Sequence, residues 1–208
     1  MALSTITARD GNNAAITVPA LADASGNVSS MVSLDSSRPT YRSSASSTAV
    51  ITTAAGTILT VTGSATKTIR IKKIVFCLTA GTPVQCVLQL QRVSAIGING
   101  TVVTPTVSKL DTGSAAATGV VSHYITTKQT NGTAVGGPMG TIGVSEILTT
   151  TISTVQIMNQ FLFPEGGFNN GQSIVLRGVA DILEVQNPVA IGTTPAFSYM
   201  VEWEEDAS

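Results

Sequence analysis

The chain has 208 residues, of which only 11% are Asp, Glu, Lys or Arg and only one is histidine. An ordinary soluble domain carries about 25% charged residues. A surface built instead from Ser, Thr, Asn, Gln and Gly suits close packing against other proteins better than acid–base catalysis. The composition therefore argues against an enzyme and for a structural subunit of an assembly.

Sequence patterns also bear on membranes and nucleic acids. No apolar run approaches the roughly 18 residues of a membrane-spanning helix. The first residues lack the basic and apolar regions of a secretory signal. The small basic cluster at Lys67, Arg70, Lys72 and Lys73 has no interleaved aromatic residues of the kind that bind nucleic acid. We expect no membrane partner, no direct nucleic-acid partner, and assembly in the cytoplasm of the producing cell.

The charges are unevenly distributed along the chain. Residues 1–110 hold nine basic and three acidic side chains, whereas residues 111–208 hold two basic and nine acidic ones. Neighbouring copies could complement each other electrostatically. Alternatively, strands from both halves could interleave in one domain, which would remove the asymmetry in space. We favour the second explanation.

Residues 1–46 are predicted to form an extended N-terminal arm, because they are rich in Ser, Ala, Thr and Asn with scattered apolar residues. Fully extended, such a segment reaches on the order of 150 Å at about 3.3 Å per residue. It could cross onto a neighbouring subunit or fold back along its own domain. The candidate interface residues are six arm anchors and a tyrosine that would fix the exit of the arm: Leu3, Ile6, Ile16, Val18, Leu21, Val32 and Tyr41.

Residues 47–208 are predicted to be an all-β domain, an antiparallel β-sandwich of the jelly-roll type. The indications are β-branched runs, alternation of apolar and polar residues, and turns rich in Gly and Pro. No long amphipathic helix is visible, although Ser114–Val121 could form one short helical turn. The predicted strands are Ala49–Thr53, Thr57–Thr62, Lys67–Thr79, Val84–Gln91, Thr101–Val107, Thr118–Thr126, Val144–Ile152, Asn159–Phe163, Ser173–Ala180, Ile182–Val185 and Ala196–Glu204.

Two strands allow more detailed predictions. In Lys67–Thr79 the apolar alternation changes phase at Lys72 and Lys73, which predicts a β-bulge. The following strand alternates without a break, so we expect the two to pair as a hairpin with Phe76 opposite Leu88.

The cysteine prediction follows from that register. Cys77 and Cys86 would lie on opposite faces of the hairpin, because each alternates out of phase with the other. We therefore predict two thiols that act as small apolar side chains, with no disulfide.

No catalytic or metal-binding signature is present. His123 lacks a nucleophile and an orienting carboxylate in recognisable spacing, so we expect a strand histidine with an ordinary hydrogen bond. The acidic C-terminal segment from Glu202 to Asp206 is predicted to be a solvated face rather than a Ca²⁺ site. We expect no cofactor and no metal.

Several short segments resemble small virion structural proteins of tailed bacteriophages, of the decoration (cement) type. The resemblance spans about residues 38–205 and implies a β-sandwich component of the virion without enzymatic activity. The segments that carry it are Thr62–Ile74, Asp111–Val121, Ile174–Gly178 and Tyr199–Glu205.

Three functional hypotheses follow. The leading one is a capsid decoration protein, a homotrimer on the capsid exterior that bridges major capsid protein subunits. The second is a tail, baseplate or fibre component that recognises a host receptor through loops 95–101, 129–143 and 164–172. The third is a non-viral carbohydrate-binding or hydrolase-associated sandwich. An enzyme of that kind would need a facing carboxylate pair, for which the mid-domain choices are Glu146, Glu165, Asp181 and Glu184.

Overall fold

The chain divides into two compact units, Met1–Arg38 and Pro39–Ser208. The boundary predicted between residues 46 and 47 falls instead inside a strand, Thr40–Val50, whose residues pair along the sandwich. The computed structural model describes residues 4–9, 15–22, 28–29, 38–50, 55–79, 84–125, 129–147, 155–156, 159–162, 173–190 and 196–207.

The N-terminal unit contains a small antiparallel sheet of its own. Its strands are β1 (Ser4–Arg9), β2 (Ala15–Ala22) and β3 (Val28–Ser29), in the order β1-β2-β3. Ile6 lies opposite Val18 in the β1–β2 register. The segment predicted as an extended arm is therefore internally paired over part of its length, because its apolar and β-branched residues alternate as strand residues do.

The second unit consists of two antiparallel sheets packed face to face. The residues described contain no helix, and hence none long and apolar enough to cross a membrane. The strands are β4 (Thr40–Val50), β5 (Gly56–Thr62), β6 (Lys67–Thr79), β7 (Val84–Ala95), β8 (Thr101–Val103), β9 (Val107–Lys109), β10 (Val120–Ile125), β11 (Thr133–Ala134), β12 (Gly140–Ile147), β13 (Val155–Gln156), β14 (Asn159–Leu162), β15 (Ile174–Arg177), β16 (Ile182–Asn187) and β17 (Ala196–Ala207).

The strand order confirms an all-β sandwich of the jelly-roll type. The large sheet has the order β13-β12-β7-β16-β5-β10-β8, with β11 also pairing β7. The small sheet has the order β14-β6-β17-β4-β9, with β15 also pairing β6. The quartets β12-β7-β16-β5 and β14-β6-β17-β4 divide eight strands between two sheets in jelly-roll order. The strands from β8 to β11 form an insertion between β7 and β12.

The predicted hairpin between β6 and β7 is wrong, because these strands belong to opposite sheets. Phe76 lies opposite Tyr199 on β17, and Leu88 lies opposite Ile142 on β12. Both Phe76 and Leu88 are nevertheless buried in the common core, as their alternation indicates. A local pattern identifies the buried face of a strand, whereas the strand partner depends on contacts distant in sequence.

Two local predictions about this region are confirmed. The register of β17 against β6 passes from Glu202 opposite Lys73 to Trp203 opposite Ile71, which leaves Lys72 as the extra residue of a bulge. The bulge allows the apolar residues that precede it in β6, such as Ile71, and those that follow it, such as Ile74, to face the same core. Neither cysteine is in a disulfide.

Four ion pairs join basic residues of the first half of the chain to acidic residues of the second half. Three of them cross the outer face of the small sheet between adjacent strands, and the fourth joins β7 to the start of β16. In each, a base from the first half of the chain meets an acid from the second half, so the halves interleave in space. The pairs are Arg42–Glu202 at 2.7 Å, Lys72–Glu204 at 3.2 Å, Arg70–Asp206 at 2.5 Å and Arg92–Asp181 at 3.5 Å.

Candidate functional site

Two segments of the β7–β12 insertion cross the outer face of the large sheet. Since β7 and β8 lie on either side of β16, β5 and β10, residues 96–100 pass over those strands. Residues 129–132 return to β11, which pairs with β7. We call residues 96–100 and 129–132 the crossing segments.

Hydrogen bonds join the crossing segments to each other. The Thr130 amide donates to the Ile98 carbonyl at 3.0 Å, and the Ile98 amide donates to the Thr130 hydroxyl at 3.0 Å. The Gln129 side-chain amide donates to the Gly97 carbonyl. A Cβ on Gly97 would overlap the Thr130 carbonyl, so close approach of the two backbones requires glycine there. The segments thus form one connected layer.

A buried carboxylate fixes this layer to the sheet. Glu184 on β16 is fully buried. Its Oε2 accepts hydrogen bonds from the Thr57 hydroxyl at 2.8 Å, the Gln186 amide at 2.7 Å and the Gly132 backbone amide at 3.0 Å. The Thr57 amide also donates to the Gln129 carbonyl at 2.9 Å. Because buried donors and acceptors are costly to leave unpaired, these bonds hold the second crossing segment in place.

Three exposed apolar side chains belong to the first crossing segment or to β8, the strand that follows it. The exposed fraction is 51% for Ile96, 72% for Ile98 and 54% for Val102, which is on β8. Grouped exposed hydrophobic residues mark interaction sites more often than isolated ones do. We call Ile96, Ile98 and Val102 the apolar platform, and it is the candidate functional site.

A second buried carboxylate anchors the loop between β9 and β10. Glu205 on β17 is 3% exposed and accepts hydrogen bonds from four donor groups. The donors are the Thr118 amide at 2.9 Å, the Thr118 hydroxyl at 2.8 Å, the Gly119 amide at 2.9 Å and the Trp203 indole at 3.0 Å. The short helical turn that Ser114–Val121 could have formed is absent, and the amides of Thr118 and Gly119 donate to Glu205 instead.

The predicted interface residues are found as follows. Ile6 lies in β1, and Ile16, Val18 and Leu21 lie in β2. Leu3 and Val32 lie outside the described residues. The interface role of these six stays a prediction.

Tyr41 lies in the core of its own sandwich, near the start of β4. Its ring is 1% exposed and stacks on Trp203 at a centroid distance of 5.8 Å. Its hydroxyl donates to the Ala115 carbonyl at 3.0 Å. Tyr41 thus binds the β9–β10 loop three residues after the boundary between the units, and its predicted role in fixing the arm stays a prediction.

The loops of the receptor-binding hypothesis are partly brought together. Loops 95–101 and 129–143 contain the two crossing segments and therefore meet on one face, whereas loop 164–172 lies outside the described residues. For the hydrolase hypothesis, Asp181 bonds Arg92 and the Arg177 amide, while Glu184 faces the opposite side of the sheet beneath the crossing segments. These two carboxylates do not form a facing pair.

The other carboxylates add no candidate centre. Glu146 is part of β12, and Glu165 lies outside the described residues. Over the described ranges, no three His, Cys, Asp or Glu side chains are grouped so that they could hold a metal ion.

His123 has the hydrogen bond expected of a strand histidine. It is 2% exposed, and its Nδ1 lies 2.8 Å from the Tyr199 hydroxyl. Burial lowers the pKa of His123 and raises that of Tyr199, so both side chains are neutral at pH 7. The pair lies between the sheets, where β10 faces β17.

This burial predicts a dependence of stability on pH. Because the pKa of His123 is lower in the folded than in the unfolded chain, its contribution is complete above about pH 6.5 and is lost as the pH falls toward the folded pKa. We expect the melting temperature to fall between pH 7.5 and pH 5.5, and the slope to be smaller in His123→Gln. No second histidine titrates in this window. Equal slopes in the two proteins would contradict the prediction.

Jelly-roll sandwiches occur in viral capsid proteins, lectins and cupins, so the fold admits several functions. The argument for a function of this chain therefore comes from its own surfaces and composition. No protein-family model, curated protein or solved structure matches the chain.

Proposed function

We propose that the chain is a bacteriophage virion structural protein, a decoration protein that binds the exterior of the assembled head and bridges major capsid protein subunits. The observation that carries the proposal is the apolar platform on its hydrogen-bonded support. Binding through a surface that is already ordered avoids the entropic cost of ordering loops on contact.

Composition and fold support the same function. A chain with 11% charged residues can place a large surface at an interface, because charged residues are depleted from interface centres. The jelly roll is one of the folds from which viral capsid proteins are built. Assembly as a homotrimer would multiply each contact, since linked binding sites gain avidity without new chemistry.

The N-terminal unit supplies the second contact of the proposal. It is a compact unit of its own that ends at Arg38, and its apolar residues suit a segment that reaches a neighbouring protomer or capsid subunit. A variant lacking residues 1–38 tests this role and leaves β4 intact, whereas a longer deletion would remove part of that strand. We expect the sandwich to fold and capsid binding or trimer formation to fall. Unchanged binding and oligomeric state would contradict the bridging role.

Copy number in purified virions tests the proposal as a whole. Quantitative mass spectrometry should give about one copy, or one third of a copy, per major capsid subunit. A ratio of a few per cent would place the chain in the tail region instead. Absence from virions would contradict both phage hypotheses.

A matched pair of double variants tests the platform. Ile96→Ser with Ile98→Ser removes exposed apolar surface from the crossing segment, so we expect at least tenfold weaker binding to capsids that lack the protein. Leu110→Ser with Val179→Ser is the control, because those side chains are 50% and 60% exposed and lie outside the platform. Both double variants should melt near the wild-type temperature. Equal loss of binding in both would show that the platform is not the contact.

The alternative function is a tail, baseplate or fibre component involved in attachment to a host receptor. The meeting of loops 95–101 and 129–143 on one face favours it. Against it, receptor sites that bind carbohydrate usually present aromatic rings, and the large hydrophobic residues exposed in the described part of the sandwich include none. The copy-number measurement separates this alternative from decoration.

A further inference from the structure

A cleft opens beside His123, between β10 and β8 of the large sheet and β4 of the small sheet. Its volume is about 530 Å³, which is within the range of small-molecule sites. It is lined by Ala45, Ser46, Val103, Pro105, His123 and Ile125. The cleft does not include the apolar platform, which lies on the outer face of the large sheet.

Ser46 and His123 are the two polar residues of the lining, and one buried polar atom of His123 has no partner. His123 Nε2 is buried and makes no hydrogen bond within the described structure. Its other ring nitrogen, Nδ1, is occupied by the Tyr199 hydroxyl. Ligand sites characteristically combine apolar walls with one or two such convergent polar groups.

Hydrogen-bond counting identifies the tautomer of His123. If Nδ1 carried the proton, it would donate to Tyr199, and the phenol proton would have no acceptor among the described residues. Nε2 would then also be an acceptor without a donor. If the Tyr199 phenol donates to Nδ1 instead, the phenol proton and Nδ1 are both satisfied. Only the Nε2–H then lacks a partner. The neutral ring therefore presents a single donor beside the cleft.

We propose that this cleft binds a small apolar molecule that carries one neutral carbonyl oxygen, which accepts a hydrogen bond from His123 Nε2. The apolar walls would cover the hydrocarbon part of the ligand. A charged carboxylate fits less well, because the described lining contains no cation. The proposal is independent of the phage assignment and extends to a binding activity of the sandwich itself.

The tautomer is tested first, and the chain is well suited to the measurement because it has one histidine. Long-range ¹H–¹⁵N correlation spectra of the full ¹⁵N-labelled chain report the protonation of each ring nitrogen directly. We expect a protonated Nε2 and an unprotonated, hydrogen-bonded Nδ1 at pH 7.5. A protonated Nδ1 would overturn the proposal.

A pair of nearly isosteric probes then tests the ligand class. Cyclohexanone and methylenecyclohexane have similar shapes, but only the ketone accepts a hydrogen bond. We expect cyclohexanone to shift the Nε2 resonance saturably and to bind about five to ten times more tightly, the difference expected for one hydrogen bond. Equal affinities, or no saturable change at His123 with either probe, would overturn the proposal.

Two variants test whether the probes bind in this cleft and whether His123 is the hydrogen-bond donor. Val103→Phe fills the cleft from the edge strand β8, so the affinity for both probes should fall at least fivefold. His123→Phe removes the donor and should reduce the preference for the ketone to less than twofold. If His123→Phe fails to fold, the comparison of the two probes on the wild-type chain still decides the outcome. Full affinity for cyclohexanone in Val103→Phe would place the ligand elsewhere and contradict the assignment.

Discussion

Replacing Glu205 by alanine should lower the free energy of unfolding by about 3–5 kcal/mol, among the largest effects expected of a single substitution. The carboxylate is buried and accepts hydrogen bonds from two backbone amides, a hydroxyl and an indole. Alanine would leave the Gly119 amide and the Trp203 indole buried without an acceptor. Urea denaturation of wild type and variant measures the loss.

Two further substitutions separate hydrogen bonding from charge at this end of β17. Glu205→Gln keeps one acceptor oxygen but turns an NH₂ group toward donors, so its loss should be about half that of the alanine variant. Glu202→Gln affects an ion pair with Arg42, whose side chain is 43% exposed, and should cost about 0–1 kcal/mol. If Glu205→Ala cost no more than Glu202→Gln, the buried carboxylate would not be an anchor.

The role of Glu205 had a signal in the sequence. Glu205 follows Val201 and Trp203 at intervals of two, so alternation places it on the face that the core buries. The acidic run around it suggests a solvated face, and that pattern misled the prediction. Glu184 is similar, because it stands between Leu183 and Val185 in a short strand whose residues are buried on both faces. An acidic residue is therefore a candidate for a buried anchor when it is in phase with core residues, as Glu205 is, or when its strand is buried on both faces, as that of Glu184 is.

The positions of several strands in the sandwich were predictable, but sheet membership was not. The bounds of β6 and its bulge at Lys72 follow from the alternation of apolar residues along that strand. Placing β6 and β7 in opposite sheets requires contacts with β17 and β12, and no local pattern encodes them. The internal pairing of β1 and β2 was also missed, because Ser, Ala and Thr between apolar residues suit an extended arm and a strand equally.

The same distinction applies to the candidate site. The Asn99-Gly100 turn was predictable, and both residues adopt positive φ, 69° and 91°. That residues 96–100 cross the sheet beside residues 129–132 was not predictable, because it depends on where β8 joins the large sheet. The platform is thus a product of topology, and its support is a carboxylate more than fifty residues away in the chain.

Substitution of Glu184 should therefore affect the platform as well as stability. Glu184→Ala removes the acceptor for Thr57, Gln186 and the Gly132 amide and leaves a buried gap. We expect a loss of about 3 kcal/mol in the free energy of unfolding. Glu184→Gln keeps an oxygen for those three donors and removes a buried charge, so its stability should lie within about 1 kcal/mol of wild type.

Hydrogen exchange shows whether the effect reaches the surface. The amides of Thr130 and Gly132 should exchange at least tenfold faster in Glu184→Ala, because a layer that has lost its anchor opens locally. Glu184→Gln should retain slow exchange, and capsid binding should follow the exchange rates, since a mobile platform must be ordered when it binds. Fast exchange with undiminished capsid binding would show that the crossing segments are not the capsid-binding surface. The N-terminal unit would then be favoured as the principal anchor. Equal destabilisation by Gln and Ala would instead show that the negative charge of Glu184 is itself required.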